Sequence, residues 1–98
     1  MSITSDTVSK IMSSSGEEFT QCLGVLLGRA VSVDELPLRI AVGAGQVEIA
    51  RVPLKGVRLG GLLELPRAQV TIIFVGVSDA DRTAFQRRFD QAFQRGGG

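Results

Sequence analysis

The sequence predicts an α+β domain: an N-terminal amphipathic helix, about five short, strongly bent antiparallel strands forming a small barrel or curled sheet, and a C-terminal amphipathic helix. Three observations carry that prediction. Phe19, Cys22, Leu23, Leu26 and Leu27 recur at spacings of three and four, the period of a helix with one buried face. Between residues 28 and 65, β-branched and apolar residues instead alternate with polar ones between glycine- and proline-bearing turns, the period of strands. Finally, the apolar run Val70-Thr71-Ile72-Ile73-Phe74-Val75-Gly76-Val77 stops at Ser78, and a polar segment carrying Phe85, Phe89 and Phe93 begins. A strand there hands over to a capped helix.

With 98 residues, 44% of them hydrophobic and 21% charged, the chain falls in the ordinary globular range, and one domain over 1–98 is expected. The stretches 1–14 and 96–98 are expected to fray. A chain of this size buries roughly 60 to 65% of its unfolded surface. Its margin of stability is then a few kcal/mol, and self-association is a ready way to add to it.

Taken in order, the serine-rich residues 1–14 compete for backbone hydrogen bonds, although Val8, Ile11 and Met12 have helical spacing and allow one short helix. Ser15 and Glu18 have the spacing of a capping box, so a helix starts near residue 16, and Gly28 stands where a left-handed cap ends it. Residues 30–33 make a short candidate strand. Leu38, Ile40 and Val42, then Val47 and Ile49, alternate with polar or small residues on either side of Gly43-Ala44-Gly45, which reads as a hairpin. Pro53 has no N–H for a ladder and ends the second of these strands or lies on an edge. Residues 57–65 form a fourth strand bent at Gly60-Gly61, Pro66-Arg67 makes a turn, and 69–77 is the fifth strand.

The last strand is apolar on both faces, with Val70, Ile72 and Phe74 on one and Ile73, Val75 and Val77 on the other. The C-terminal helix covers one of them. It begins after Ser78, with Asp79 and Asp81 at the positive end of its dipole, and Phe85, Phe89 and Phe93 advance by only about 40° each to make a docking stripe. Ile73, Val75 and Val77 are therefore the candidate self-association residues.

The chain has no histidine and a single cysteine, Cys22. Serine-histidine triads, cysteine-histidine dyads, histidine metal sites, zinc ribbons and internal disulfides are excluded on that ground. Serine activated by lysine is left to Lys10, beside Ser9, or Lys55. Cys22 lies on an apolar helix face, and the carboxylate pairs Glu17-Glu18, Asp34-Glu35 and Asp79/Asp81 fall at helix starts and a turn, where structural roles account for them. Gly43-Ala44-Gly45 lacks the lysine and the helix start of a phosphate-binding loop. The expectation is a non-enzyme with no catalytic residue, no metal and no cofactor. Neither a charged-then-apolar leader nor an apolar run of about 20 residues is present, and a cytoplasmic protein without a membrane segment is expected.

The net charge of +1 hides an asymmetry: residues 1–50 hold three basic and six acidic groups, residues 51–98 eight and four. Within 51–67, Arg51, Lys55, Arg58 and Arg67 face a single acid, Glu64. If residues 53–56 form a loop, these four are the candidate site for RNA or an acidic protein partner.

In element order, helix 16–28, five short strands and a helix, with the bend at Gly60-Gly61, the chain resembles Sm-like small barrels. That resemblance implies ring-forming self-association through strand edges and contact with RNA. The nearest match to the family's arginine-glycine motif is Arg58-Leu59-Gly60, and no binding residue carries over. The stretch Val75-Gly76-Val77-Ser78-Asp79-Ala80-Asp81-Arg82 resembles the last strand and helix start of PilZ domains. Arg51 and Lys55 have the spacing of that family's arginine pair but only one arginine, so this resemblance implies a regulatory protein-interaction domain that does not bind the cyclic dinucleotide. The leading expectation is a non-catalytic binding or assembly module that forms a homo-oligomer.

Overall fold

Alternation at the very start of the chain is the first thing the fold reveals, because Val8, Lys10 and Met12 point one way and Ser9 and Ile11 the other, as in a strand. A computed structural model describes residues 5–61 and 63–97. The elements in order are β1 (Ser5–Met12), α1 (Gly16–Leu27), a 3-10 turn (Val33–Glu35), β2 (Leu38–Val42), β3 (Gly45–Leu59), β4 (Leu63–Val75) and α2 (Asp79–Gly97). The class is α+β. Among the described residues, however, the sheet has four strands rather than five, in the order β1-β4-β3-β2, every pair antiparallel, and it stays open with β1 and β2 as its edges.

Three sequence expectations change. Residues 5–12 form a strand, not a short helix, because β4 offers them a full antiparallel ladder from Ser5↔Val75 to Met12↔Ala68. Local spacing loses to that long-range pairing. Of the ends expected to fray, residues 1–4 and 98 lie outside the described residues. Residues 30–33 are not a strand, since Ser32 and Glu35 form a second capping box, the Ser32 N–H donating to Glu35 Oε2 at 2.7 Å. Of the two alternatives for Pro53, the edge position is the one observed, and it does not end β3. It lies beyond β2, where β3 has a partner on one side only and a residue without an N–H is tolerated.

Finally, Gly60-Gly61 is a hairpin turn instead of a bend. Both glycines have positive φ, 66° and 77°, which few other residues adopt. The strands expected at 57–65 and 69–77 are thereby redrawn as the end of β3 and all of β4. Pro66 lies inside β4, opposite Lys55 and Gly56, where the register shifts between Leu54 and Val57 in a bulge.

The two long helices form as their sequence signals require. Ser15 Oγ accepts from the Glu18 N–H at 3.1 Å while Glu18 Oε1 accepts from the Ser15 N–H at 2.9 Å, and Gly28 closes α1 at φ 70°. Ser78 Oγ accepts from the Asp81 N–H at 3.2 Å to start α2. Both helices pack on one face of the sheet. Phe19, Leu23 and Leu26 of α1 and Phe85, Phe89 and Ala92 of α2 meet Val47, Ile49, Val70, Ile72 and Phe74 in one buried cluster. Phe85 stands edge-on to Phe74 at 5.8 Å, and Phe89 stacks on Phe93 at 4.2 Å. Each such side chain contributes about 1.5–3 kcal/mol on burial, enough for this one layer of contacts to dominate the stability.

Candidate functional site

The helices cover only one side of the sheet, and the functional candidates lie on the other. Odd-numbered residues of β4 point to this open face, and the register brings them into rows with β3 and β1: Val75 with Gln46, Ile73 with Glu48 and Thr7, Thr71 with Ala50 and Ser9, Gln69 with Val52 and Ile11. Ile73 and Val75 are half-buried here, and no helix lies over them. Val77 is elsewhere. It follows the end of β4 and packs against the helix-side core, so the three residues expected to share one surface do not.

Beyond Pro53 and Ala68, β3 and β4 have no other strand beside them among the described residues and continue as a two-stranded arm over residues 54–67. The molecule is correspondingly long, 54 by 26 by 23 Å, with a radius of gyration of 14.5 Å against about 13 Å for a compact chain of this size. On the arm the open face carries Leu54, Val57, Leu65 and Leu63, since directly paired residues share a face. Ile11 is 54% exposed, Val52 56%, Leu63 56%, Val57 and Leu65 37% each. Of the seven large apolar side chains exposed among the described residues, these five are on one surface. Sequence reasoning missed them because it read Gly60-Gly61 as a bend. Read as a turn between two apolar runs, the glycine pair pairs 57 with 65 and puts the leucines on the face of Ile73.

The four basic residues expected to converge are separated. Arg51 points to the helix side, where its Nη2 donates to the Ser14 carbonyl oxygen at 2.7 Å and its guanidinium lies 5.9 Å from the Phe19 ring centre. Arg58 pairs with Glu64 at 3.8 Å. Lys55 is exposed in the bulge, and Arg67 is on the open face opposite Leu54. The loop that was to gather them is a pair of strands, and alternation sends neighbours to opposite faces.

The remaining chemical candidates have structural duties. Ser9 and Lys10 point to opposite faces: Ser9 Oγ accepts from Gln69 Nε2 at 2.8 Å, and Lys10 Nζ lies 3.0 Å from Asp90 Oδ1. Cys22 is buried, and burial, with the Glu18 charge nearby, pushes its thiol above the ordinary range, away from the reactive thiolate. Glu18 and Glu35 serve their capping boxes, and Glu35 also pairs with Arg29 at 3.0 Å. Among the described residues, Lys55 lines none of three surface depressions, two of which lie beside Leu26 and Arg88. Among the described residues no group of three or more acids or cysteines is placed to hold a metal, and no helix is long and apolar enough to cross a membrane.

The fold and surface define a two-layer α+β sandwich with one bare sheet face extended by an apolar arm. Comparison with protein-family models, curated proteins and solved structures returned no match. The helix-first, five-strand order behind the resemblance to Sm-like barrels is not the order observed, because β1 precedes α1.

Proposed function

We propose that this chain is a non-catalytic assembly module that associates with itself through the open face of its sheet. The observation that carries the reading is the apolar patch of Ile11 and Val52 with Leu54, Val57, Leu65 and Leu63 on the arm, with Ile73 and Val75 further along the same face among Thr7, Glu48 and Thr71. Antiparallel sheets do leave one face to water, but the arm end of this one exposes leucine, isoleucine and valine side by side. A two-stranded arm is also marginal in water unless something packs on it. The absence of histidine, the buried thiol of Cys22 and the structural duties of the acids and of Lys10 support a role without catalysis.

Sedimentation velocity at micromolar concentration is expected to show a dimer or larger assembly. Val52→Glu places a charge at the middle of the surface and is expected to return the protein to monomer with its helical circular dichroism unchanged. A strict monomer before substitution rules the proposal out.

A further inference from the structure

We infer that the open face is covered by a second copy of this chain, laid antiparallel across it about a two-fold axis at the Val52–Gln69 row, so that each arm lies over the body of the other copy. This rests on the self-association proposed above and specifies its geometry. A two-fold interface must be complementary to itself when turned end for end, and most rows of this face meet that condition.

On the arm side of Val52 and Gln69 come Leu54 with Arg67, then Val57 with Leu65, then Leu63. On the body side come Ala50 with Thr71, then Glu48 with Ile73, then Gln46 with Val75. Turned end for end, Leu54 meets Ala50 of the other copy, Leu65 meets Ile73 and Leu63 meets Val75, while Val52 and its neighbour Ile11 meet their own counterparts at the centre; Arg67 meets Thr71, and Val57 meets Glu48, whose charge Arg39 bridges at 3.0 Å. Stacking the copies in the same direction would instead set Arg67 on Arg67 with the axis along β4, or Glu48 on Glu48 with the axis along β3, and like charges across an interface select against either pairing.

The area is adequate. From Leu63 to Val75 the face runs about 40 Å at roughly 3.3 Å per residue, and three strands are about 14 Å wide, giving on the order of 500 Å² per copy. The pair then buries about 1,000 Å², the lower bound of specific interfaces.

Spin labels test the geometry in the full chain on a Cys22→Ala background. Labels introduced by Val52→Cys lie beside the axis, and their separation across the pair is expected to approach the sheet spacing, about 10 Å plus the label arms. Labels introduced by Leu63→Cys lie six residues from the axis on each copy and are expected about 40 Å apart. Ser13→Cys, exposed past the end of β1 beside the same central rows, supplies a second near-axis position if a label at 52 disturbs the association. Short distances at both 52 and 63 indicate same-direction stacking, and a short distance at 63 with a long one at 52 indicates tip-to-tip pairing. Either result overturns the antiparallel arrangement and leaves self-association standing. No intermolecular distance at any position, with a monomer by sedimentation, overturns the self-association itself.

Discussion

Arg51 reaches from β3 across to the start of α1, its Nη2 donating to the Ser14 carbonyl oxygen at 2.7 Å and its guanidinium resting near the Phe19 ring. A residue that reads as part of an anion site is in fact a strut between the sheet and the β1–α1 connection. Charge-assisted hydrogen bonds of this kind contribute about 1.5–3 kcal/mol. Arg51→Ala is therefore expected to lower the urea-unfolding free energy by about 1–2 kcal/mol. Arg58→Ala, whose pairing with Glu64 is exposed on both sides, is expected to change it by less than about 0.5 kcal/mol. Equal small effects would show that the Arg51 contacts contribute nothing.

Ile73 and Val77 separate assembly from stability. Ile73 lies on the open face and Val77 against the helix-side core. Ile73→Lys is expected to weaken self-association at least tenfold in a sedimentation dilution series while leaving the helical circular dichroism of the monomer intact. Val77→Ser is expected to lower stability by about 1–2 kcal/mol through lost burial, with association unchanged. The opposite pattern would place Val77 at the interface.

Gly45, at the start of β3, is a tight backbone approach: a Cβ there would run into the Val75 carbonyl and the Gly76 backbone. Neither obstacle is a flexible side chain. Gly45→Ala is expected to destabilise the domain by about 1–3 kcal/mol, read as a lower melting temperature. Gly28 has open space where its Cβ would fall, so Gly28→Ala meets only the strain of its φ of 70° and is expected to cost about 1–2 kcal/mol.

Two glutamates make the fold sensitive to acid. The Ser15 backbone N–H, then the Ser15 hydroxyl, hold Glu18 below its ordinary value of 4.5, and the Ser32 backbone N–H, then Arg29, do the same for Glu35. A carboxylate with a lowered folded value contributes fully above its unfolded value and loses that contribution as pH falls through the folded one. Melting temperature is expected to hold from pH 7 down to about 5 and to decline below the ordinary glutamate range. Glu18→Gln keeps a side chain able to cap the helix and is expected to shallow that decline. A decline of the same steepness in the variant would exclude Glu18 as a source.

Much of the helical layer is legible in the chain because its signals are local. The Ser15–Glu18 box, the Gly28 cap, the Ser78 start and the phenylalanine stripe of α2 each depend on residues within a few positions of one another. The 3-10 turn at Val33–Glu35 was equally local, through Ser32 and Glu35, but β-branched Val31 and Val33 gave a competing strand pattern. The basic residues were grouped by proximity in sequence, and strand alternation divides them between two faces.

Sequence alone thus determined the α+β class, the two capped helices, the β2–β3 hairpin and the two-sided apolar character of β4. Those properties follow from periodicity and capping, which act over a turn or two of chain. Only the tertiary structure decided that residues 5–12 are an edge strand, that Gly60-Gly61 turns the chain into an arm, and that Ile73 and Val75 share a bare face with Ile11, Val52 and Leu63 while Val77 does not. The reason is that strand partners are chosen at long range: β1 and β4 are more than fifty residues apart, and a ladder joining them leaves no imprint on the residues in between.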